Sequence, residues 1–348
     1  MRVRLLAAVA ICAGLHGAAR AEAATHKWQS YFQVRYTTSQ DQGDYLSLRR
    51  LKLFGQGPIS GDWTYYLQLL YKANNRSPTD DRIVMQEANT LVPLNSGRLT
   101  VGQFKPPFGM ERFTPDYKLA LIDRSQPTDR LIPNGNLGLS FARARGAQHE
   151  RKVGNTARFA IGVFDGNGAN EPFDGNGPLI VGRLVYEPPS SEARRFHSEL
   201  ALSWRKDHDI DFLGQLPGAP SGYSSFAGKD IRQNLALAYD AGADALRAEY
   251  FAAQYDSDKL GLPSIDAQGY YLQWAHTVSK RWFAAIRYET MDPNQSVTNT
   301  KDISWLTIGA TYCIDSDYQR IQVNYAFRSE QVNEFDNDAL LVQYQKFF

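Results

Sequence analysis

Basic residues recur between positions 105 and 145 at spacings that could place several cations around one space. They are Lys105, Arg112, Lys118, Arg124, Arg130, Arg143 and Arg145. Guanidinium and ammonium groups donate hydrogen bonds to anions, and a guanidinium offers a forked pair of donors. The carboxylates of Glu111, Asp116, Asp123 and Asp129 lie in the same stretch. The pattern therefore predicts a site that attracts anions, with ion pairing that fixes the segment in place as the alternative for each basic group.

Apolar and polar residues alternate along most of the chain, and the elements that they form must position these cations. Trp63, Leu67 and Leu69, for example, share one face of a segment whose other face has Gln68. A period of two over about 9–11 residues is typical of a membrane-spanning strand. Sixteen segments fit, near 27–37, 45–55, 63–73, 82–92, 98–105, 137–146, 156–165, 178–187, 195–206, 230–240, 244–255, 268–278, 281–290, 302–313, 318–328 and 339–348.

The connections between the later segments alternate in length. Tight turns are predicted at 240–243, 279–280 and 314–317, and longer polar stretches at 206–229, 256–267, 291–301 and 329–337. Short turns on one rim and long loops on the other are typical of an outer-membrane barrel. An unpaired backbone group in lipid costs several kcal/mol, so such a sheet must close. We expect an all-β, antiparallel transmembrane barrel of about sixteen strands with a water-filled lumen.

The N-terminus has the layout of a secretory signal peptide. Arg2 and Arg4 precede an apolar run over 5–15, and small residues allow cleavage after Ala21 or Ala23. We therefore expect a signal peptide over 1–23 and a single barrel domain over 24–348. The whole chain has 38 Lys and Arg against 37 Asp and Glu, a balance that argues against nucleic acid as a partner.

The segment 105–136 is too long for an ordinary connection between strands, so we expect it to fold into the lumen. Arg143 and Arg145 follow it at alternate positions. The spacing predicts that these two arginines share one strand face and extend a basic track along the wall. A ring of fixed guanidinium groups in a narrow aqueous passage would favour anions.

Several motifs resemble one family of bacterial channels. The stretch Val101-Gly-Gln-Phe-Lys-Pro-Pro-Phe-Gly-Met-Glu111 is similar to the motif before the constriction loop of the phosphate-selective porin O and P family. The stretches 162–168 and 182–188, the pair Arg49-Arg50 and the segments 269–273 and 287–289 also resemble that family. The last strand, which ends in Phe348, looks like the closing strand of outer-membrane proteins.

The resemblance implies a homotrimeric channel in the outer membrane of a Gram-negative cell, in contact with lipid and lipopolysaccharide. It also implies that the barrel-assembly machinery reads the terminal Phe348. We expect passive diffusion of small hydrophilic solutes, with an anion preference of the phosphate or polyphosphate type. Such diffusion needs no cofactor.

Other chemistry has weaker support in the sequence. An outer-membrane phospholipase or esterase would need a Ser–His–acid set, and His276 with Ser279 nearby is the candidate. Turn-forming Asp165-Gly-Asn-Gly and Asp174-Gly-Asn-Gly resemble the start of a calcium loop but lack its later ligands. A non-conducting structural barrel is the third alternative. We expect no enzyme activity and no metal site.

Overall fold

The computed structural model describes residues 26–41, 43–72, 82–132, 137–172, 175–189, 191, 194–315 and 318–348. The predicted signal peptide lies outside the described residues. No helix in the described ranges is long and apolar enough to cross a bilayer.

The described residues form sixteen strands that closely follow the predicted segments. Their bounds are β1 Lys27–Ser39, β2 Gly43–Ser60, β3 Trp63–Lys72, β4 Arg82–Leu94, β5 Gly97–Phe104, β6 Ala144–Val153, β7 Ala157–Phe164, β8 Leu179–Tyr186, β9 Arg194–Ile210, β10 Phe226–Ala241, β11 Asp244–Ser257, β12 Ile265–Thr277, β13 Trp282–Asp292, β14 Ile303–Asp315, β15 Gln319–Glu330 and β16 Ala339–Phe347.

The sheet closes between its first and last strands. Each strand pairs antiparallel with its neighbours in sequence, and β1 pairs with β16 from Tyr31 opposite Phe347 to Ser39 opposite Ala339. Beyond the ladder, the amide of Ser30 donates to the carbonyl of Phe348 at 3.2 Å. Closure removes the unpaired edges that hydrocarbon would penalise. The predicted fold class, a sixteen-stranded antiparallel barrel, is confirmed.

The two faces of each strand meet different surroundings. In β10, Leu235 and Leu237 point outward and are about half exposed, whereas Asn234 and Ala236 point inward and are buried. Aromatic residues such as Trp28 and Trp282 are also exposed on the outer surface, towards the strand ends. An apolar outer face with aromatic residues at its margins suits a lipid bilayer, and a polar inner face suits water.

The sixth strand starts seven residues later than the sequence predicted. The alternation of Leu137, Leu139 and Phe141 resembles a strand, but Leu137 and Phe141 belong to the buried core inside the barrel. The real strand, 144–153, contains a charged run at 149–152 and shows no clear apolar alternation. The connection between β5 and β6, which we call the inward loop, therefore spans residues 105–143 instead of 105–136.

The inward loop contains two short helices, α1 (Met110–Phe113) and α2 (Gln126–Leu131), and a 3₁₀ turn at Asp116–Lys118. Gly109 precedes α1 with a φ of 81°, a left-handed conformation that favours glycine. Ser125 caps α2 by accepting a hydrogen bond from the amide of Thr128. Helix α2 packs against β11, β12 and β13, so the loop lies within the barrel.

Most of the apolar core lies on one side of the lumen, and Phe104, Phe164 and Val181 extend it to β5, β7 and β8. Phe108, Leu131 and Phe141 of the inward loop belong to the same buried cluster as Phe226 and Tyr255 of the wall. Phe212, Leu216 and Tyr223, from the connection between β9 and β10, complete this side of the cluster. We call this half, the inner faces of β9–β15 with the loop packed on them, the packed side. The inner faces of β2–β8 form the open side.

Candidate functional site

A cavity of about 1840 Å³ lies between the inward loop and the open side. At one end it reaches Pro58 and Thr64, beside the short turn that joins β2 to β3. At the other end it reaches Arg82 and Asp209, where long connections emerge from the barrel. The cavity therefore extends along the barrel from one rim to the other.

Positive charge predominates in the described lining of this cavity. Twelve Lys and Arg face eight Asp and Glu there, a formal difference of +4 with His208 neutral. The basic residues are Lys27, Arg49, Arg50, Lys52, Arg82, Arg98, Lys105, Arg112, Arg124, Arg143, Arg158 and Arg183. The acidic residues are Glu87, Asp116, Asp123, Asp129, Glu150, Glu171, Asp209 and Asp211.

A β-bulge brings two consecutive arginines to the cavity. The pairing of β1 with β2 shifts register so that Gln33 faces Arg50 while Val34 faces Leu48, which leaves Arg49 as the extra residue. In a regular strand, neighbours point to opposite faces, but a bulge changes this alternation. Arg49, Arg50 and Lys52 consequently all line the cavity.

One carboxylate, that of Asp116, is shared by three cations of the cavity lining. Asp116 of the inward loop contacts Arg50 at 3.1 Å and Lys52 at 2.5 Å on the wall, and Arg124 of its own loop at 2.9 Å. Burial alone would raise the pKa of the Asp116 carboxyl, but the three cations hold it well below its usual range. One negative charge therefore balances three positive charges, and this group keeps a surplus of positive charge.

Lys105 and Arg112 line the cavity without a carboxylate partner among the described residues. The Lys105 ammonium donates to the carbonyl of Arg112 at 3.0 Å, and the Arg112 guanidinium donates to the carbonyl of Ala142 at 3.3 Å. Burial and then the charge of Arg143 lower the pKa of Lys105 well below its usual range. Burial, with Arg143 and Arg124 contributing, lowers the pKa of Arg112 to about 9. These cations repel one another, and an anion between them would relieve that repulsion.

Four of the seven predicted site residues line the cavity. Lys105 and Arg112 do so without a carboxylate, Arg124 pairs with Asp116, and Arg143 pairs with Glu87 at 3.1 Å. The structure thus combines the two predicted roles. Arg143 holds the loop to the wall, Arg124 joins two parts of the loop, and both also face the passage.

The other three predicted residues lie away from the cavity lining. Lys118 is exposed on the 3₁₀ turn, and Arg130 donates to the carbonyl of Lys301 at 3.4 Å. Arg145 is 43% exposed and pairs with Asp165 at 2.6 Å. Since Arg143 precedes β6 and only Arg145 lies within it, the expected shared strand face does not form.

The wall cations on β2 were missing from the predicted site. Arg50 and Lys52 have the alternate spacing of residues on one strand face, a signal that the sequence offers. In a regular strand, Arg49 would point to the face opposite that of Arg50 and Lys52. The bulge brings it to the same surface.

Arginines of the packed side bind the inward loop instead of facing the cavity. Arg232 donates to the carbonyls of Leu131 at 2.9 Å and Leu137 at 2.5 Å, and Arg205 donates to that of Leu139 at 3.3 Å. Asp230 bridges the two guanidinium groups, at 2.9 Å from Arg205 and 2.7 Å from Arg232. All three side chains are at most 3% exposed. The loop backbone and the wall thereby satisfy one another's buried polar groups.

Wall carboxylates bind the first turns of both loop helices. Glu249 of β11 accepts hydrogen bonds from the amides of Met110 at 2.7 Å and Glu111 at 2.6 Å. Glu289 of β13 accepts one from the amide of Gln126 at 2.7 Å. Amides in the first turn of a helix have no partner within it, so these carboxylates fix the position and direction of α1 and α2.

Two further wall arginines also bind the inward loop. Arg35 of β1 contacts Asp123 through both of its terminal nitrogens, at 3.0 and 2.9 Å. Arg287 of β13 donates to the carbonyls of Asp123 at 3.0 Å and Arg124 at 3.2 Å. The charges of Arg35 and Arg49 outweigh the effect of burial and lower the pKa of Asp123 to about 2. Within the described ranges, no group of three or more His, Cys, Asp or Glu has a metal-site arrangement.

Known proteins with related sequences and folds are bacterial porins and outer-membrane proteins. The family model described as phosphate-selective porin O and P matches residues 26–345. Porin O of Pseudomonas aeruginosa is 24% identical over 282 residues, which cover 72% of this chain. The chain spans 62% of the length of that relative.

Two solved structures have the same fold. The anion-selective porin from Comamonas acidovorans superposes with a TM-score of 0.66 at 15% identity, covering 93% of this chain and all of that one. OmpT of Vibrio cholerae in its trimer form gives 0.62 at 11% identity, covering 94% of this chain and all of that one. The family match extends over the closed barrel, its inward loop and the cavity between them, and this chain therefore belongs to the phosphate-selective porin O and P family of outer-membrane porins.

Proposed function

We propose that this porin passes small hydrophilic solutes by passive diffusion and favours anions. The observation on which this depends is the uncompensated positive charge beside the inward loop, where Asp116 balances three cations and Lys105 and Arg112 have no carboxylate partner. Fixed charge in a passage bounded by a low-dielectric wall concentrates ions of the opposite sign. A solute moving down its gradient needs no cofactor.

The proposed anion preference extends to phosphate. The family description names phosphate, and the Comamonas relative is described as anion-selective. Arg49, Arg50 and Arg112 offer forked donors of the kind that match oxyanions. Millimolar phosphate should therefore reduce the chloride current through a single channel. Chloride current that is insensitive to phosphate would leave general anion diffusion without a phosphate site.

The remaining features of the proposal concern assembly. A homotrimer is supported by the trimer form of the Vibrio relative. We propose that residues 1–23 direct export, that the assembly machinery reads Phe348, and that the outer surface contacts lipid and lipopolysaccharide. Phe348 is 71% exposed at the end of the closing strand, where another protein can reach it.

Two neighbouring arginines provide a matched test of the anion preference. Arg143 lines the cavity, whereas Arg145 lies outside its lining. In planar bilayers under a KCl gradient, the wild-type reversal potential should indicate chloride over potassium. The Arg143→Gln variant should shift the potential towards zero, because Glu87 then faces the passage unpaired, and Arg145→Gln should leave it unchanged. A cation-selective wild type, or equal shifts in both variants, would contradict the proposal.

A further inference from the structure

We propose that the passage favours small aromatic carboxylates, such as benzoate, over aliphatic carboxylates of similar charge. This inference rests on the proposed anion preference and names a solute class within it. It comes from aromatic rings that lie among the cations of the same cavity.

Seven Phe and Tyr residues line the cavity alongside its basic groups, and five of them are partly buried. These five are Phe54, Tyr65 and Tyr66 on the wall and Phe113 and Tyr117 on the inward loop. Partial burial means that each side chain is supported by its neighbours and still presents some surface. A water-filled passage that selected only by charge would not need apolar surface beside its cations.

Phe113 is the ring closest to the unpaired cations. The Arg183 guanidinium carbon lies 4.5 Å from the centre of its ring, and the Lys105 ammonium lies 5.8 Å from it. Lys105 also donates to the carbonyl of Arg112, the residue before Phe113. A carboxylate that contacts Lys105 and Arg112 would thus bring the remainder of the solute towards the Phe113 ring.

The Phe113 ring is held in a defined position. It ends α1, whose first amides donate to Glu249 on the packed side, and Arg183, which stacks on it, is paired with Glu199 of the wall. A surface that is already ordered loses little conformational entropy when a solute contacts it. A fixed ring is therefore a better stacking partner than a mobile one.

Cations beside a fixed aromatic ring favour a solute that has both a negative charge and a ring. An aromatic pair contributes about 0.5–1.5 kcal/mol beyond the area that it buries, which corresponds to about two- to tenfold in affinity. An aliphatic carboxylate such as acetate gains the charge contacts alone. The preference is therefore expected in the ratio of benzoate to acetate permeability, since both solutes have one carboxylate.

The test measures reversal potentials of the trimer in planar bilayers with sodium chloride on one side and sodium benzoate or acetate on the other. In free solution benzoate diffuses more slowly than acetate, so a passage without an aromatic site gives a permeability ratio below one. The wild type should give a ratio above one. Phe113→Ser should lower the ratio about two- to tenfold, to the free-diffusion value. Cyclohexanecarboxylate, which has a ring but no aromatic face, should fall between benzoate and acetate.

Phe113→Leu is the second variant, because it retains apolar packing under Arg183 and protects against misfolding of α1. It should also lower the benzoate-to-acetate ratio while leaving the chloride-to-potassium ratio unchanged. A wild-type ratio at the free-diffusion value, or one that neither variant changes, would overturn the aromatic site. Chloride preference over potassium is measured on the same channels, so loss of the anion proposal itself would be recognised separately.

Discussion

The packed side and the open side use the same residue type for different purposes. On the packed side, Arg205 and Arg232 are almost fully buried, share Asp230 and direct their N–H groups at loop carbonyls. On the surface of the inward loop that faces the open side, Lys105 and Arg112 border a large cavity and have no carboxylate partner among the described residues. A desolvated charge needs a partner on the protein, whereas a charge beside water can exchange its partners with solutes. An inward-facing arginine is therefore evidence for anion selection only when its own partners are known.

The largest effect is expected from the removal of a buried carboxylate on the packed side. Asp230→Ala would leave the guanidinium groups of Arg205 and Arg232 buried without their shared carboxylate. Removing one partner from a buried ion pair costs about 3–5 kcal/mol. The free energy of unfolding should fall by about this amount in urea titrations, and the single-channel current should become larger and noisier as the inward loop detaches.

Asp258→Ala is the control for that change. Asp258 pairs with Lys206 at 2.9 Å, and both side chains are 44% exposed, so the pair is open to water and salt. This variant should unfold like the wild type. Equal destabilisation by the two changes would refute the view that the buried bridge fixes the loop.

An intermediate effect is expected where the two sides meet, at Asp116. Asp116→Asn keeps the shape of the side chain and removes the negative charge that Arg50, Lys52 and Arg124 share. One unit charge about 5 Å from a permeating ion contributes about 0.8 kcal/mol in a water-like dielectric, or about fourfold in the partitioning of each ion. Because chloride gains and potassium loses by this amount, the chloride-to-potassium permeability ratio should rise by up to about sixteenfold at low salt and by less at high salt. An unchanged or lower ratio would show that the carboxylate does not limit anion selection.

The smallest effect is expected from pH. The pKa of Lys105 is lowered by burial and by the charge of Arg143, so its ammonium loses its proton below the usual Lys value of about 10.4. Glu87, Arg112 and Arg124 also face it. Anion preference should therefore decline as pH rises, at pH values below the usual titration range of lysine. The Lys105→Arg variant should decline less, because a guanidinium keeps its proton to higher pH than an ammonium in the same position. A decline of equal size in both proteins would assign the titration to another group.

The barrel was predictable because each strand repeats one physical rule over many residues. A period of two, lengths near those of membrane-spanning strands and a closing strand at the C-terminus gave the correct strand count. The rule failed at β6, where Leu137, Leu139 and Phe141 alternate like a strand but Leu137 and Phe141 pack inside the barrel. Alternation indicates two different surroundings and does not distinguish lipid from a folded loop.

The site was less predictable, since pairing and cavity exposure depend on contacts between distant strands. The loop cations Lys105, Arg112 and Arg124 were predicted from their own segment. The contribution of Arg49 depends on a bulge, and that of Asp116 depends on two residues more than sixty positions earlier. Neither signal is local in the sequence.

The most direct measurement is the reversal potential in a KCl gradient for the wild type and for the Lys105→Gln/Arg112→Gln double variant. These two cations face the cavity, and neither has a carboxylate partner in the part of the chain that the structure describes. Two unit charges of about 0.8 kcal/mol each change the partitioning of chloride and of potassium by about fifteenfold in opposite directions. The chloride-to-potassium ratio should therefore fall by more than about tenfold at low salt, with unfolding in urea unchanged. A double variant that stays as anion-selective as the wild type would contradict the assignment of selection to the cavity between the inward loop and the open side.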